Sequence, residues 1–397
     1  MRLALTAALA AALSALSLPA QADITIGVIN SLSGNFATFG ARYRTGMEVA
    51  LDEINAAGGI KGQKITLSVQ DDRSEAQSAL AAGEKLASQK DVPLVMGSYA
   101  SSITGPLAQF LTRRETPLIV LGSADDSITK PGSPWVFRAK HNSTIVAKAY
   151  FDYFDHLKKE NAGAPMESVA MLYGNGAWPS SLAKEGKRLA SERGYKVVGD
   201  QAYDQGVTDF RPILNRFRGA NPDILYIVSY ADDGVAIARQ MREVGLNAKA
   251  IAIDTSAALP SFVTQVGDLA NYVATAVSWS KDVKYPGAQD LYQRLKAKAG
   301  SEPSFYEAEG YLALIVAADA LRRAESLDRK AVREALEKTN TTTAVTTVSF
   351  PDQDGFQNQN PIRSLILQIQ KGDHVTVFPP DVAAAKPMHP TPDWSAR

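Results

Sequence analysis

Short hydroxyls gather where an apolar run breaks. Gly97-Ser98-Tyr99-Ala100-Ser101-Ser102-Ile103-Thr104-Gly105 follows Val92-Pro93-Leu94-Val95-Met96. The pattern reads as a buried strand opening into a helix. Three chemistries fit: a serine nucleophile, a phosphate cradle, or a grip on a carboxylate by hydroxyls and free helix-end amides. A nucleophile elbow needs G-x-S-x-G, but Tyr99 and Ile103 stand at the glycine positions around Ser101. The four histidines, His141, His156, His374 and His389, form no i, i+4 pair, and are expected at the surface. Gly174-Asn175-Gly176 suggests a dinucleotide turn, but Pro179 occupies the third glycine position. There is no phosphate-loop motif and no cysteine, which removes thiol catalysis, disulfides and thiolate metal sites. The pairs Asp71-Asp72, Asp125-Asp126 and Asp232-Asp233 read as helix caps before acid/base dyads. These residues support no enzyme, no metal site and no cofactor.

What remains is a binding chemistry. Ser101, Ser102 and Thr104 fit a carboxylate cradle, with a plain helix cap as the bland reading of Ser101. Gly122-Ser123-Ala124 follows the next apolar run with the same character. Phe39, Tyr99, Trp178 and Tyr230 each follow a strand or its loop. One aromatic is core packing; four at equivalent places suggest an apolar wall around a ligand.

The elements that must position these residues alternate. Strands are expected at Ile24–Ile29, Ile65–Val69, Leu94–Met96, Leu118–Leu121 and Trp135–Arg138. Helices fall between them: Met47, Ala50, Leu51 and Ile54 make one face, Ser74 is a plausible N-cap for the next helix, and a third runs from Ser101 to Arg114. The pattern restarts with a helix near Thr144–Lys158 and strands at Val169–Tyr173, Lys196–Val198, Ile224–Val228 and Ala250–Ile253. Three helical stretches follow Tyr272–Trp279: Pro286–Ala299, Phe305–Ala324 and Asp328–Lys338. Lys371-Gly372-Asp373 reads as a hairpin turn between two last strands, and Pro379 to Arg397 as an extended tail, docked or loose. Alternating strands and helices imply parallel sheets covered on both faces, and two such series imply two doubly wound α/β lobes.

Residues 1–22 read as a secretory leader cleaved after Ala22, with Ala20-Gln21-Ala22 as the small-x-small site. The expected location is therefore the periplasm or outside the cell. The chain has 42 basic and 42 acidic side chains; without Arg2 the balance is 41 to 42, so nothing points to nucleic acid or anionic lipid. At 397 residues the chain can build its core without disulfides.

The opening "ITIGVINSLSGNFATFG", the turn "INAAGGIKGQK", "DD" after the next strand, "GSYASSITG", and "YLALIVAADALRRA" late in the chain occur in an order that resembles the periplasmic leucine/isoleucine/valine-binding proteins, type I solute-binding proteins of ABC importers. The resemblance covers nearly the whole mature chain. It implies a monomer of two Rossmann-like lobes joined by three crossing strands. One lobe would hold residues 23–140 and 279–347, the other 141–278 and 348–378, with 379–397 as tail. The implied function is capture of a small carboxylate-bearing ligand, an aromatic or other hydrophobic acid, for an ABC permease and ATPase. A hydrophobic or branched-chain amino acid is the alternative ligand, and a sensor subunit the alternative role. The implied site comprises Ala100, Ser101, Ser102, Gly122, Ser123 and Ala124 for the polar head, and Phe39, Tyr99, Trp178 and Tyr230 for the body. Asp254 and Thr255 would read the far end. Where the family carries an acidic partner for an ammonium group, this chain has Thr255, with Asp254 adjacent.

Overall fold

The computed structural model describes residues 23–160 and 165–396; the expected leader lies outside the described residues. The first sheet has five parallel strands in the order β2-β1-β3-β4-β5: β1 Ile24–Asn30, β2 Ile65–Asp71, β3 Val95–Gly97, β4 Leu118–Ile119 and β5 Val136–Phe137. Helices α1 (Ala37–Ala56), α2 (Ala76–Ser88) and α3 (Ser101–Arg113) connect the first four strands. The second sheet has seven strands in the order β14-β13-β10-β9-β8-β6-β7. Its parallel members are β6 Ser168–Gly174, β7 Lys196–Tyr203, β8 Ile224–Ser229, β9 Ala250–Thr255 and β10 Val273–Val277; β13 Leu365–Gln370 and β14 Asp373–Phe378 join antiparallel. Around it run α4 (Ser143–Glu160), α5 (Ala177–Glu192), α6 (Arg211–Ala220), α7 (Ala231–Val244) and α8 (Pro260–Val266). Central strands such as β8 and β9 are buried along their whole length, as a parallel sheet covered on both faces requires.

Helices α9 (Ala288–Ala299), α10 (Phe305–Arg323) and α11 (Arg329–Glu337) return the chain to the first sheet's side, where their apolar residues share one core with β1 and α1. A small hairpin follows, β11 Asn340–Thr342 and β12 Thr347–Ser349, which the sequence pattern did not signal. The chain passes between the sheets three times. Two passes are tied side by side: Arg138 and Gln359 form a parallel bridge, and Arg138 Nε donates to Gln359 Oε1 at 2.6 Å. His141 Nδ1 and Ser364 Oγ lie 2.8 Å apart on the same two passes. The tail is docked: the Thr391 amide donates to Lys249 O at 2.9 Å and the Trp394 indole to Leu246 O at 2.9 Å. No helix among the described residues is long and apolar enough to cross a membrane.

Two expectations are corrected. Ser74 does not cap α2; Glu75 holds that place. Ser74 is turned into the left-handed region at φ +62° and spends its hydroxyl on Ser33 O and the Phe36 amide, so it fixes the β1–α1 loop instead. Nor are the histidines surface residues: His141 is buried, and His156, His374 and His389 are half-buried.

Candidate functional site

The two sheets aim their carboxyl-terminal strand ends at one cleft, where α/β sheets bind ligands. On the first side, Ala100 is the N-cap of α3 and Ser101 its first residue, with no side-chain cap bond. The Ser101 hydroxyl is therefore not spent as a cap. It accepts the Asp125 amide at 3.2 Å, and its own proton stays free to donate. The loops on either side are laced together: Ser98 Oγ donates to Asp72, the Gly122 amide donates to Ser98 O at 3.0 Å, and Ser123 Oγ donates to Tyr99 O at 2.9 Å. The paired aspartates serve these loops. Asp71 accepts Ser33 Oγ at 2.6 Å and the Leu32 amide at 2.9 Å, and although burial works against it, these and the Arg73 amide hold its carboxyl below the usual range. Asp125 accepts the Ser127 amide, and Asp126 the Thr144 hydroxyl at the start of α4.

The second side supplies Trp178 in the first turn of α5, Tyr230 as the N-cap of α7, and Asp254 and Thr255 at the end of β9. Trp178 and Tyr230 rings lie 5.2 Å apart, and Tyr230 reaches Tyr99 across the cleft at 6.5 Å. The Asp126 amide donates to Ser181 Oγ on α5 at 3.3 Å, so the cleft is shut. Thr255 has φ +67° and ψ −61°, a strained γ-turn for a β-branched residue. That turn aims the neighbouring Asp254 carboxyl into the cavity, where one oxygen accepts the Thr255 amide at 2.7 Å. The other oxygen takes no hydrogen bond from any described residue. Burial pushes Asp254 up to about 7, against the Thr255 amide and the Lys140 charge. Opposite, Lys140 Nζ donates to Gly122 O at 2.9 Å and pairs with Glu309 at 3.3 Å; burial lowers its pKa. Glu309 is held in turn by Ser278 Oγ at 2.7 Å and the Tyr43 hydroxyl. Burial, with Lys140 and Arg138 nearby, drives His141 well below its ordinary range, so it is neutral at pH 7. The Tyr306 hydroxyl is buried at this cavity, beside Thr255 and Tyr99.

The periplasmic binding protein family model matches residues 23–373. The chain belongs to that family. Among curated relatives, it is 28% identical to a Leu/Ile/Val-binding protein homolog 7 of Brucella abortus, over 94% of this chain and 96% of the relative. A homolog 8 from Brucella suis is also 28% identical, over 97% and 98%. LivJ of Streptococcus pneumoniae shares the fold with a TM-score of 0.77 at 24% identity, covering 89% of this chain and 97% of LivJ. LivK of Thermotoga maritima gives 0.79 at 22%, covering 89% and 97%. The chain is thus a type I periplasmic binding protein of the leucine/isoleucine/valine-binding kind, a family of solute-binding proteins for ABC transport.

Within this binding-protein cleft, nine of the sequence-derived positions line one cavity: Tyr99, Ala100, Ser101, Gly122, Ala124, Trp178, Tyr230, Asp254 and Thr255. Three stand apart. Phe39 is buried behind Tyr99, its ring stacked at 4.4 Å, and props that ring from the rear. Ser102 points outward and is exposed. Ser123 is buried with its hydroxyl committed to Tyr99 O and Thr104. Sequence reasoning missed Lys140, His141, Val146, Phe305 and Tyr306. The first two sit on a crossing segment with no motif of its own. Phe305 and Tyr306 begin α10, and the Ser304-x-x-Glu307 capping box was the available signal for a helix end at the cleft.

Proposed function

We propose that the mature protein captures a small aliphatic amino acid between its lobes and presents it, as a periplasmic monomer, to an ABC permease and ATPase. The observation that carries this reading is the unpaired Asp254 oxygen, facing a cavity whose other lobe offers Ser101, the first amides of α3 and Lys140. A zwitterion complements both ends: its carboxylate meets the hydroxyl, amides and ammonium, and its ammonium meets Asp254. A buried carboxyl without such a cation is costly when ionised. The neighbours support the reading: LivJ was solved with isoleucine, and a Desulfitobacterium hafniense binding protein with leucine. Lobe boundaries near His141, Trp279 and Val348 belong to the same proposal, as does removal of the leader after Ala22. The tied passes at Arg138, His141 and Gln359 support the boundaries.

The second reading is a hydrophobic acid without the amino group, held by a protonated Asp254. The two differ in sign. Asp254 ionises as pH rises through about 7, so ammonium binding strengthens with pH while binding of a bare acid weakens. In the empty protein the raised pKa adds stability below the unfolded value of about 4 that is lost by pH 7 and above; a ligand ammonium restores it. Calorimetric titration with leucine and with its 2-oxo acid at pH 6 and pH 8 decides between them. Leucine is expected to bind several-fold tighter at pH 8, and Asp254→Asn to abolish that dependence. Tighter binding of the 2-oxo acid at pH 6, with none of leucine, would replace the amino acid reading.

A further inference from the structure

A second cavity shares Phe305 with the first. One part of its wall is apolar, with Val277, Trp279 and Leu367, and the other is polar, with Ser280, Lys281, Glu302, Ser304, Asp373 and His374. The polar groups around it are already engaged. Ser280 Oγ bonds Thr376 Oγ1 at 2.8 Å, the His374 ring nitrogen Nε2 meets Ala257 O at 2.6 Å, and Lys281 pairs with Asp373 at 2.5 Å. Glu302 is likewise taken, by the Tyr292 hydroxyl and Lys296, so what stays open to a ligand is the apolar part of the wall beside Phe305.

Among the described residues, Phe305 is the one that lines both cavities. Its backbone is fixed at the first position of α10. Ser304 caps the helix, Glu307 accepts the Ser304 amide at 2.9 Å, and Arg42 pins Glu307 at 2.6 Å. The ring itself has no polar tie and is held by Tyr306 at 4.0 Å and His141 at 6.1 Å between centroids. Thr255 borders the first cavity and Ala258 the second, so the chain after β9 forms the rest of the same wall. A rigid backbone carrying one apolar ring between two cavities makes a partition.

We propose that Phe305 is a specificity-determining residue that limits the length of the ligand's side chain, and that the cavity behind it receives the end of a longer apolar or aromatic side chain once that ring is cut back. This rests on the first cavity being the ligand site. In that case shortening Phe305 lengthens the slot without touching Ser101 or Asp254, so the polar head is bound as before. Extra apolar contact of one or two carbons changes discrimination by about tenfold or more.

The test uses the mature protein with Phe305→Ala and Phe305→Leu, titrated calorimetrically with valine, leucine, phenylalanine and tryptophan. The ratio of phenylalanine to leucine affinity is expected to rise about tenfold in Phe305→Ala and less, in the same direction, in Phe305→Leu. Phe305→Leu alters the core least and decides alone should the alanine variant fail to fold. An unchanged ratio in folded variants that still bind leucine overturns the proposal while leaving the amino acid reading intact. Wild-type protein that binds none of the four overturns that reading, and the proposal with it.

Discussion

Ser101 shows how one hydroxyl divides its work. It accepts from the Asp125 amide and keeps a proton for the cavity, so it joins two loops of the cleft and, on the proposed function, offers a donor to the ligand. Ser101→Ala is expected to weaken amino acid binding by ~1–3 kcal/mol, the usual loss for a hydrogen bond to a charged group. Calorimetry on the folded variant checks this, and unchanged affinity would reduce Ser101 to a loop tie. Ser101 was legible because strand end, glycine and hydroxyls are contiguous in sequence. Ser102 and Ser123 shared that signature and do not line the cavity. Helix phase turns Ser102 outward, and a carbonyl acceptor and Thr104 claim the Ser123 hydroxyl. Those facts depend on three-dimensional neighbours. Lys140 was invisible for the same reason: its partner Glu309 is far along the chain.

At the scale of elements, the helix that carries Phe305, Tyr306 and Glu309 is held against α1 by two glycines. A Cβ at Gly46 would collide with Glu307 O, and one at Gly310 with Tyr43 O. The two helices approach backbone to backbone, and this close approach sets how far the start of α10 reaches into the cleft. Gly310→Ala is expected to destabilise the protein by ~1–3 kcal/mol through overpacking, read as a lower midpoint in denaturant unfolding with little change in slope. A variant as stable as wild type would show that the contact relaxes freely. Strand and helix order was largely legible, because runs such as Ile224–Val228 and the face Met47, Ala50, Ile54 carry their period plainly. The Gly46–Gly310 contact was not, since each glycine looks ordinary within its own helix. Ser74 shows the limit of local rules: its composition suits a cap, and the loop from Ser33 to Phe36 takes its hydroxyl first.

At the scale of the whole molecule, the cleft is closed by the Asp126–Ser181 bond and by Tyr230, whose ring meets Phe36 at 5.0 Å and Tyr99 at 6.5 Å. On the proposed function, a ligand that bridges Ser101 and Asp254 adds interactions that favour the shut state. The tied crossing segments give the lobes a shared axis, and Lys140 and His141 lie on one of them while lining the cavity. On the proposed function, a ligand in this cavity meets the crossing segments directly. The most direct test is thermal unfolding of ligand-stripped protein at pH 8 with valine, leucine or isoleucine, and with the matching 2-oxo acids. At about a thousand times the dissociation constant a ligand adds ~4 kcal/mol, a clear rise in melting temperature. The account predicts that rise with the amino acids and none with the oxo acids; no shift with any aliphatic amino acid would contradict it.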